Sequence, residues 1–72
     1  MTKDEIAAAL EDYRVAIRVG RNWWPARHTG FGVKDLGDGK WAVRVTGGPN
    51  PRKNGHGVIS NLGDDIPWRL LP

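Results

Sequence analysis

Short runs of alternating apolar and polar residues, punctuated by glycine, dominate this sequence from residue 13 onward. The clearest run covers residues 40–46, in which Trp41, Val43 and Val45 alternate with polar or small residues. Because successive side chains of a strand point to opposite faces, this period of two predicts a strand with one buried face. The Gly-Asp-Gly at 37–39 favours a hairpin turn, since these residue types tolerate positive φ.

The first twelve residues have the pattern of a helix instead. Thr2 followed three residues later by Glu5 forms a capping box, in which each side chain accepts a hydrogen bond from the other residue's backbone N–H. Residues 7–10 are strong helix formers. We expect a helix over about residues 3–11, within an N-terminal segment of residues 1–12.

Residues 13–19 fit two structures. Their apolar residues occupy every second position, which is the period of a half-buried strand. Tyr13 and Ile17 would also continue the apolar face of Ile6 and Leu10 on one long helix. The β-branched residues at positions 15, 17 and 19 favour the strand, but the pattern leaves both structures open.

Glycine and proline divide the remaining chain into short segments. Pro25 confines its strand to a sheet edge or a bulge, and residues 47–57, which lack a large apolar side chain, predict a mobile loop. A strand or a short 3₁₀ turn is expected over residues 66–71. Further strands are expected over residues 22–29, 31–36 and 57–62. Four or five antiparallel strands after one helix predict a mainly β domain of residues 1–72, with a small SH3-like barrel over residues 13–72.

Size and composition argue against an enzyme. A chain of 72 residues without cysteine forms one domain with a thin core, no disulfides and no thiolate metal site. We expect no catalytic constellation, no metal site and no cofactor, since His28, His56 and Ser60 lack suitable neighbours. No apolar run approaches the ~20 residues of a membrane helix, and the acidic start is unlike a secretory signal, so we expect a cytoplasmic protein.

The net charge of +3 conceals an asymmetry between the two parts of the chain. Residues 1–12 carry one basic and four acidic residues, whereas residues 13–72 carry ten basic and four acidic ones. A basic body of this size suggests DNA, RNA or an acidic protein surface as partner. The alternative is a solvated surface whose charge serves solubility.

Adjacent tryptophans provide the sharpest candidate for a binding site. Trp23 and Trp24 cannot both face inward on a regular strand, so one of them should lie exposed or at a rim, where it could stack on a base or fill a partner's pocket. The alternative is that a bulge or the N-terminal helix covers the outer ring. Trp41 is expected in the core, and Trp68 in the core or at the barrel end.

Basic residues could extend this site. Arg14 and Arg18 share one strand face, as do Lys40 and Arg44, and the four would form a continuous stripe if their strands were neighbours. The alternative is a solvated face that pairs with aspartates. The predicted binding residues are Arg14, Arg18, Arg21, Trp23, Trp24, Arg27, Arg44, Arg52 and Lys53.

Three short motifs carry a family resemblance: Trp-Trp-Pro-Ala-Arg at 23–27, Lys-Trp-Ala-Val-Arg-Val at 40–45 and Asp-Ile-Pro-Trp-Arg at 65–69. Their order resembles the Tudor, chromo-barrel and related SH3-like barrels over roughly residues 13–70. The resemblance implies a five-stranded barrel that binds peptides, sometimes methylated, or nucleic acid. Thr-Gly-Gly-Pro at 46–49 replaces the acidic and aromatic residues usual after the third strand, so no methyl-lysine cage is inferred.

The leading hypothesis is therefore a non-enzymatic nucleic-acid-binding module that uses a basic face and an exposed tryptophan. The alternative is a protein–protein interaction module, or a small inhibitor or regulator of a host or partner protein.

Overall fold

A computed structural model describes residues 1–49, 55–63 and 65–72. One N-terminal helix precedes short strands that pair antiparallel in two open sheets. The elements are α1 (Lys3–Glu11), β1 (Val15–Val19), β2 (Asn22–Pro25), β3 (Arg27–His28), β4 (Lys34–Gly37), β5 (Lys40–Gly47), β6 (Gly55–Ser60) and β7 (Trp68–Leu70). The mainly β class with one N-terminal helix is confirmed.

Helix α1 begins with the expected capping box. The Glu5 backbone N–H donates to Thr2 Oγ1, and the Thr2 backbone N–H donates to Glu5 Oε1, both at 3.2 Å. These bonds satisfy two backbone donors that the first helical turn would leave unpaired. The buried face of the helix carries Ile6, Ala9 and Leu10.

The helix does not continue through residues 13–19, so the strand alternative is confirmed. Tyr13 has a positive φ of 56°, and the Arg14 backbone N–H donates to the Ala9 carbonyl at 2.8 Å. A left-handed residue ends the helix, since it turns the next peptide away from the helical axis. The chain then enters β1, in which Val15 and Ile17 are buried.

The first sheet has the order β2-β1-β7. Ile17 lies opposite both Trp24 and Trp68 across its two ladders. Pro25 is in the edge strand β2, as expected of a residue that has no N–H to donate to a ladder.

The second sheet is built around β5. This strand pairs along Ala42–Gly47 with β6, and its other edge pairs with β4 near Trp41 and with β3 near Thr46. The two sheets meet in residues 22–28, because the Ala26 N–H donates to the Val15 carbonyl at 2.8 Å and so continues the β1–β2 ladder toward β3. One extended segment thus passes from the first sheet to the second.

The core lies between these sheets and is closed by α1. Trp41 is fully buried, as expected, and its ring meets that of Trp68 edge-on at a centroid distance of 5.8 Å. The Trp41 Nε1–H donates to the Met1 carbonyl at 3.1 Å, so its polar atom is paired. The other core residues are Ile6, Ala9, Leu10, Val15, Ile17, Ala26, Val43, Val45, Ile59 and Ile66.

The expected loop of residues 47–57 is shorter than predicted, because Gly47 ends β5 and residues 55–57 open β6. At Gly47 and Gly55, atoms of neighbouring strands leave no room for a Cβ. A Cβ on Gly47 would stand 2.7 Å from the Pro25 carbonyl oxygen, and one on Gly55 would stand 2.7 Å from Val19 Cγ2. Residues 50–54, on which the rest of that prediction falls, lie outside the described residues.

Candidate functional site

The predicted basic residues are divided between two outer surfaces. Arg18 lies on the outer face of the first sheet, whereas Arg44 lies on the outer face of the second. Strands β1 and β5 belong to different sheets, so the described chain does not form the predicted stripe through neighbouring strands. Arg14 precedes β1, and Arg21 is exposed in the β1–β2 turn. Arg52 and Lys53 lie outside the described residues.

The adjacent indoles occupy opposite faces of β2, as strand geometry requires. Trp24 lies across from the buried Ile17, and its Nε1 is itself buried with no hydrogen bond among the described residues. Trp23 lies across from Arg18 on the outer face, and the guanidinium carbon of Arg69 is 4.4 Å from its ring centroid. Both indoles are half-buried, and the outward-facing ring of Trp23 is partly covered by Arg69.

Several side chains on or beside the outer face of the first sheet contact one another. Arg69 lies over Trp23, and Ala16, the cross-strand neighbour of Arg69, is only 1% exposed although it is outside the core cluster. Arg14 pairs with Asp12 at 3.6 Å. A base that stacked on the covered face of Trp23 would have to displace Arg69.

The outer face of the second sheet carries a different set of cations. In β5, Ala42, Arg44 and Thr46 face outward because Trp41, Val43 and Val45 face the core. Cross-strand pairing places further basic side chains beside this row: Lys34 opposite Ala42, and Arg27 and His56 on either side of Thr46. We call Arg27, Lys34, Arg44 and His56 the basic face.

Acidic residues border the basic face but do not occupy its strand positions. Asp65 lies beside β6, where its carboxylate accepts the Val58 backbone N–H. Lys40, at the start of β5, lines a depression together with Asp4, Asp35 and Asp38, so acidic residues share that end of the strand. On the second sheet, the positive charge of the outer face therefore lies around Arg44.

Phe31 lies beside the basic face and is fully exposed. It was expected to begin a strand over residues 31–36, but β4 begins only at Lys34. Phe31 instead occupies a turn between Gly30 and Gly32, whose φ values of 71° and 79° are in the left-handed region that favours glycine. These paired glycines are the sequence signal that could have indicated a turn here.

The Phe31 turn forms one wall of a shallow depression of about 330 Å³. Lys34 and Arg44 supply cations around it, and Ala42 and Val58 supply apolar surface. The turn is attached to β5, because the Thr29 backbone N–H and Oγ1 both donate to the Arg44 carbonyl, at 2.9 and 3.4 Å. Aromatic, apolar and cationic groups thus meet at one place. Of the residues that line this depression, only Arg44 was among the binding residues predicted from the sequence.

Arg27 connects this region to the helix end. Its guanidinium carbon lies 5.5 Å from the Tyr13 ring centroid, within the usual range of a cation–π contact. The neighbouring His28 lies 3.8 Å from the Glu11 carboxylate. Arg27 is exposed, and it marks the corner at which the two sheets meet.

Comparison of the chain with family models, with curated proteins and with solved structures gives no match. Within residues 1–49, 55–63 and 65–72, no three His, Cys, Asp or Glu side chains are grouped to hold a metal ion. The described part of the chain has no helix long and apolar enough to cross a membrane.

Proposed function

We propose that the protein is a non-enzymatic nucleic-acid-binding module whose basic face contacts the phosphate backbone. The observation that carries the proposal is the concentration of Arg27, Lys34 and Arg44 on one outer sheet surface whose described strand positions hold no carboxylate. Lys and Arg side chains arranged in this way bind phosphates and release the counterions condensed on nucleic acid.

The geometry of β5 supports a backbone contact. Outward positions 42, 44 and 46 lie about 6.7 Å apart along the strand, because each strand residue adds about 3.3–3.4 Å. The basic side chains at these positions and on the neighbouring strands therefore extend over about 13 Å along β5. A surface of this length can contact successive phosphates of one strand, which are spaced about 3.4 Å along the helix axis in B-form DNA and lie farther apart through space.

We also propose that the two sheets together form a variant of the small SH3-like barrel of the Tudor type. The extended segment of residues 22–28, which belongs to both sheets, supports it. Such barrels bend a continuous strand at a corner to pass from one sheet to the other.

The test compares two double variants that remove equal charge. Lys34→Gln with Arg44→Gln neutralises the centre of the basic face, and Arg18→Gln with Arg21→Gln removes two cations from the first sheet and its hairpin turn. Binding to a fluorescein-labelled 12-nucleotide single strand and a 12-base-pair duplex is measured by fluorescence anisotropy in low salt. We expect the first variant to lose most of the binding and the second to retain most of it.

Two outcomes would contradict the proposal. Equal losses in both variants would mean that net charge, and not the basic face, attracts the nucleic acid. Absence of binding by the unmodified protein to either probe would remove nucleic acid as the ligand. The second result would favour the alternative of a protein partner that binds the same surface.

A further inference from the structure

Phe31 is the most exposed large apolar side chain among the described residues. The other exposed large apolar side chains are only 42–61% exposed: Met1, Tyr13, Leu36, Leu62 and Leu70. A fully exposed aromatic ring gains nothing for folding, since the hydrophobic contribution to stability comes from area removed from water. The ring is therefore available to contact a ligand.

The ring is held at a defined place and is not on a free loop end. Thr29 fastens one side of the turn to β5 through two hydrogen bonds to the Arg44 carbonyl. Lys34, three residues after Phe31, enters the β4–β5 ladder opposite Ala42. The Phe31 turn is thus anchored on both sides, which lowers the conformational entropy that a ligand would have to remove.

The depression beside the ring combines the two chemistries that a nucleotide requires. Phe31, Ala42 and Val58 offer apolar surface, and Lys34 and Arg44 offer positive charge at the same place. A flat aromatic ligand group fits against the phenyl ring, and an anionic group linked to it fits against the cations. A nucleobase and its phosphate have this pairing of properties.

We infer that Phe31 is a stacking platform for an unpaired base, so that the protein prefers single-stranded over double-stranded nucleic acid. The inference rests on the proposed function and specifies its ligand. In a duplex, neighbouring base pairs cover both faces of each base, and only base edges and phosphates are accessible in the grooves. A phenyl ring on a turn can reach the face of a base only where the strand is unpaired.

The test uses Phe31→Ala, Phe31→Leu and Phe31→Tyr, with Leu62→Ala as the matched control. Leu62 is also an exposed apolar residue, at 61%, and it does not line the depression. Affinities for a 12-nucleotide single strand and for a 12-base-pair duplex are measured in the same buffer. Circular dichroism confirms that each variant is folded.

We expect the unmodified protein to bind the single strand more tightly than the duplex. Phe31→Ala should weaken single-strand binding by about 5- to 150-fold, the range for loss of one base–aromatic stack. Phe31→Leu should cause most of the same loss, because it keeps apolar bulk without a flat π face, whereas Phe31→Tyr should restore binding. Duplex affinity and the Leu62→Ala control should change by less than twofold.

The outcomes separate this inference from the proposed function. Binding of both probes with equal affinity, unaltered by Phe31→Ala, would overturn the stacking inference and leave phosphate contact by the basic face intact. Equal effects of Phe31→Ala on both probes would also overturn it. Failure of the unmodified protein to bind either probe would instead refute the proposed function itself.

Discussion

Salt dependence gives the most quantitative test of phosphate contact by the basic face. Three side chains of that face are cationic at neutral pH: Arg27, Lys34 and Arg44. For single-stranded nucleic acid, the logarithm of the binding constant falls with the logarithm of salt concentration with a slope of about −0.7 for each neutralised phosphate. Three contacts therefore predict a slope of about −2.1 and an affinity loss of about 18-fold between 50 and 200 mM salt.

The variants change this slope by a calculable amount. Lys34→Gln with Arg44→Gln leaves one phosphate contact, so the slope should become less steep, at about −0.7. The affinity loss between 50 and 200 mM salt should then decrease to about 2.6-fold. Arg18→Gln with Arg21→Gln should keep the slope near −2.1, although it removes the same net charge. The assay is fluorescence anisotropy with the 12-nucleotide single strand at four or more salt concentrations.

Two results would refute this reasoning. A slope near zero for the unmodified protein would show that phosphate contacts contribute little to binding. Slopes that decrease equally in both double variants would show that the contacts are spread over the molecule and are not concentrated on the second sheet.

Two predictions concern the fold. Trp41→Ala should lower the free energy of unfolding by about 3–5 kcal/mol. That is much of the total of about 4–11 kcal/mol that 0.05–0.15 kcal/mol per residue implies for a chain of this length. A decrease below 1 kcal/mol, measured by urea unfolding, would contradict the placement of this ring in the core. Gly57→Ala should cost about 1–3 kcal/mol by overpacking, because its Cβ would stand 2.6 Å from Ile66 Cβ. An unchanged unfolding midpoint for that variant, with Leu62→Ala as the near-neutral reference, would count against the packing of Ile66 on β6.

Local patterns were sufficient to predict the elements whose cause is local. The capping box of Thr2 and Glu5 predicted the start of α1, since the hydrogen bonds that define it span only three residues. The alternation around Trp41 predicted β5 and its buried face, because a period of two leaves little freedom in which side chains face the core.

Which strands pair with one another could not be predicted from local patterns. Arg18 and Arg44 each lie on an outward strand position, but whether two such positions adjoin depends on which strands pair, and that depends on contacts distant in sequence. A continuous stripe required β1 and β5 to be neighbours, whereas the chain passes from the first sheet to the second near Ala26 and the two strands belong to different sheets. Pairing of this kind carries no local signature.

The candidate site was missed for a related reason. Phe31 has high strand propensity, which is compatible with the strand expected over residues 31–36. The left-handed Gly30 and Gly32 interrupt that strand and leave the ring in solvent. Conversely, adjacent Trp23 and Trp24 do diverge, but Arg69 lies over the outer ring, and this contact joins residues 46 positions apart.

The central claim is that nucleic acid binds to the outer face of the second sheet, and a two-dimensional ¹H–¹⁵N NMR titration tests it most directly. On addition of the 12-nucleotide single strand, we expect the largest amide shifts in residues 29–34, 42–46 and 56–58. Shifts concentrated instead in residues 14–25 and 68–70, or in α1, would contradict the claim and assign the ligand to another surface.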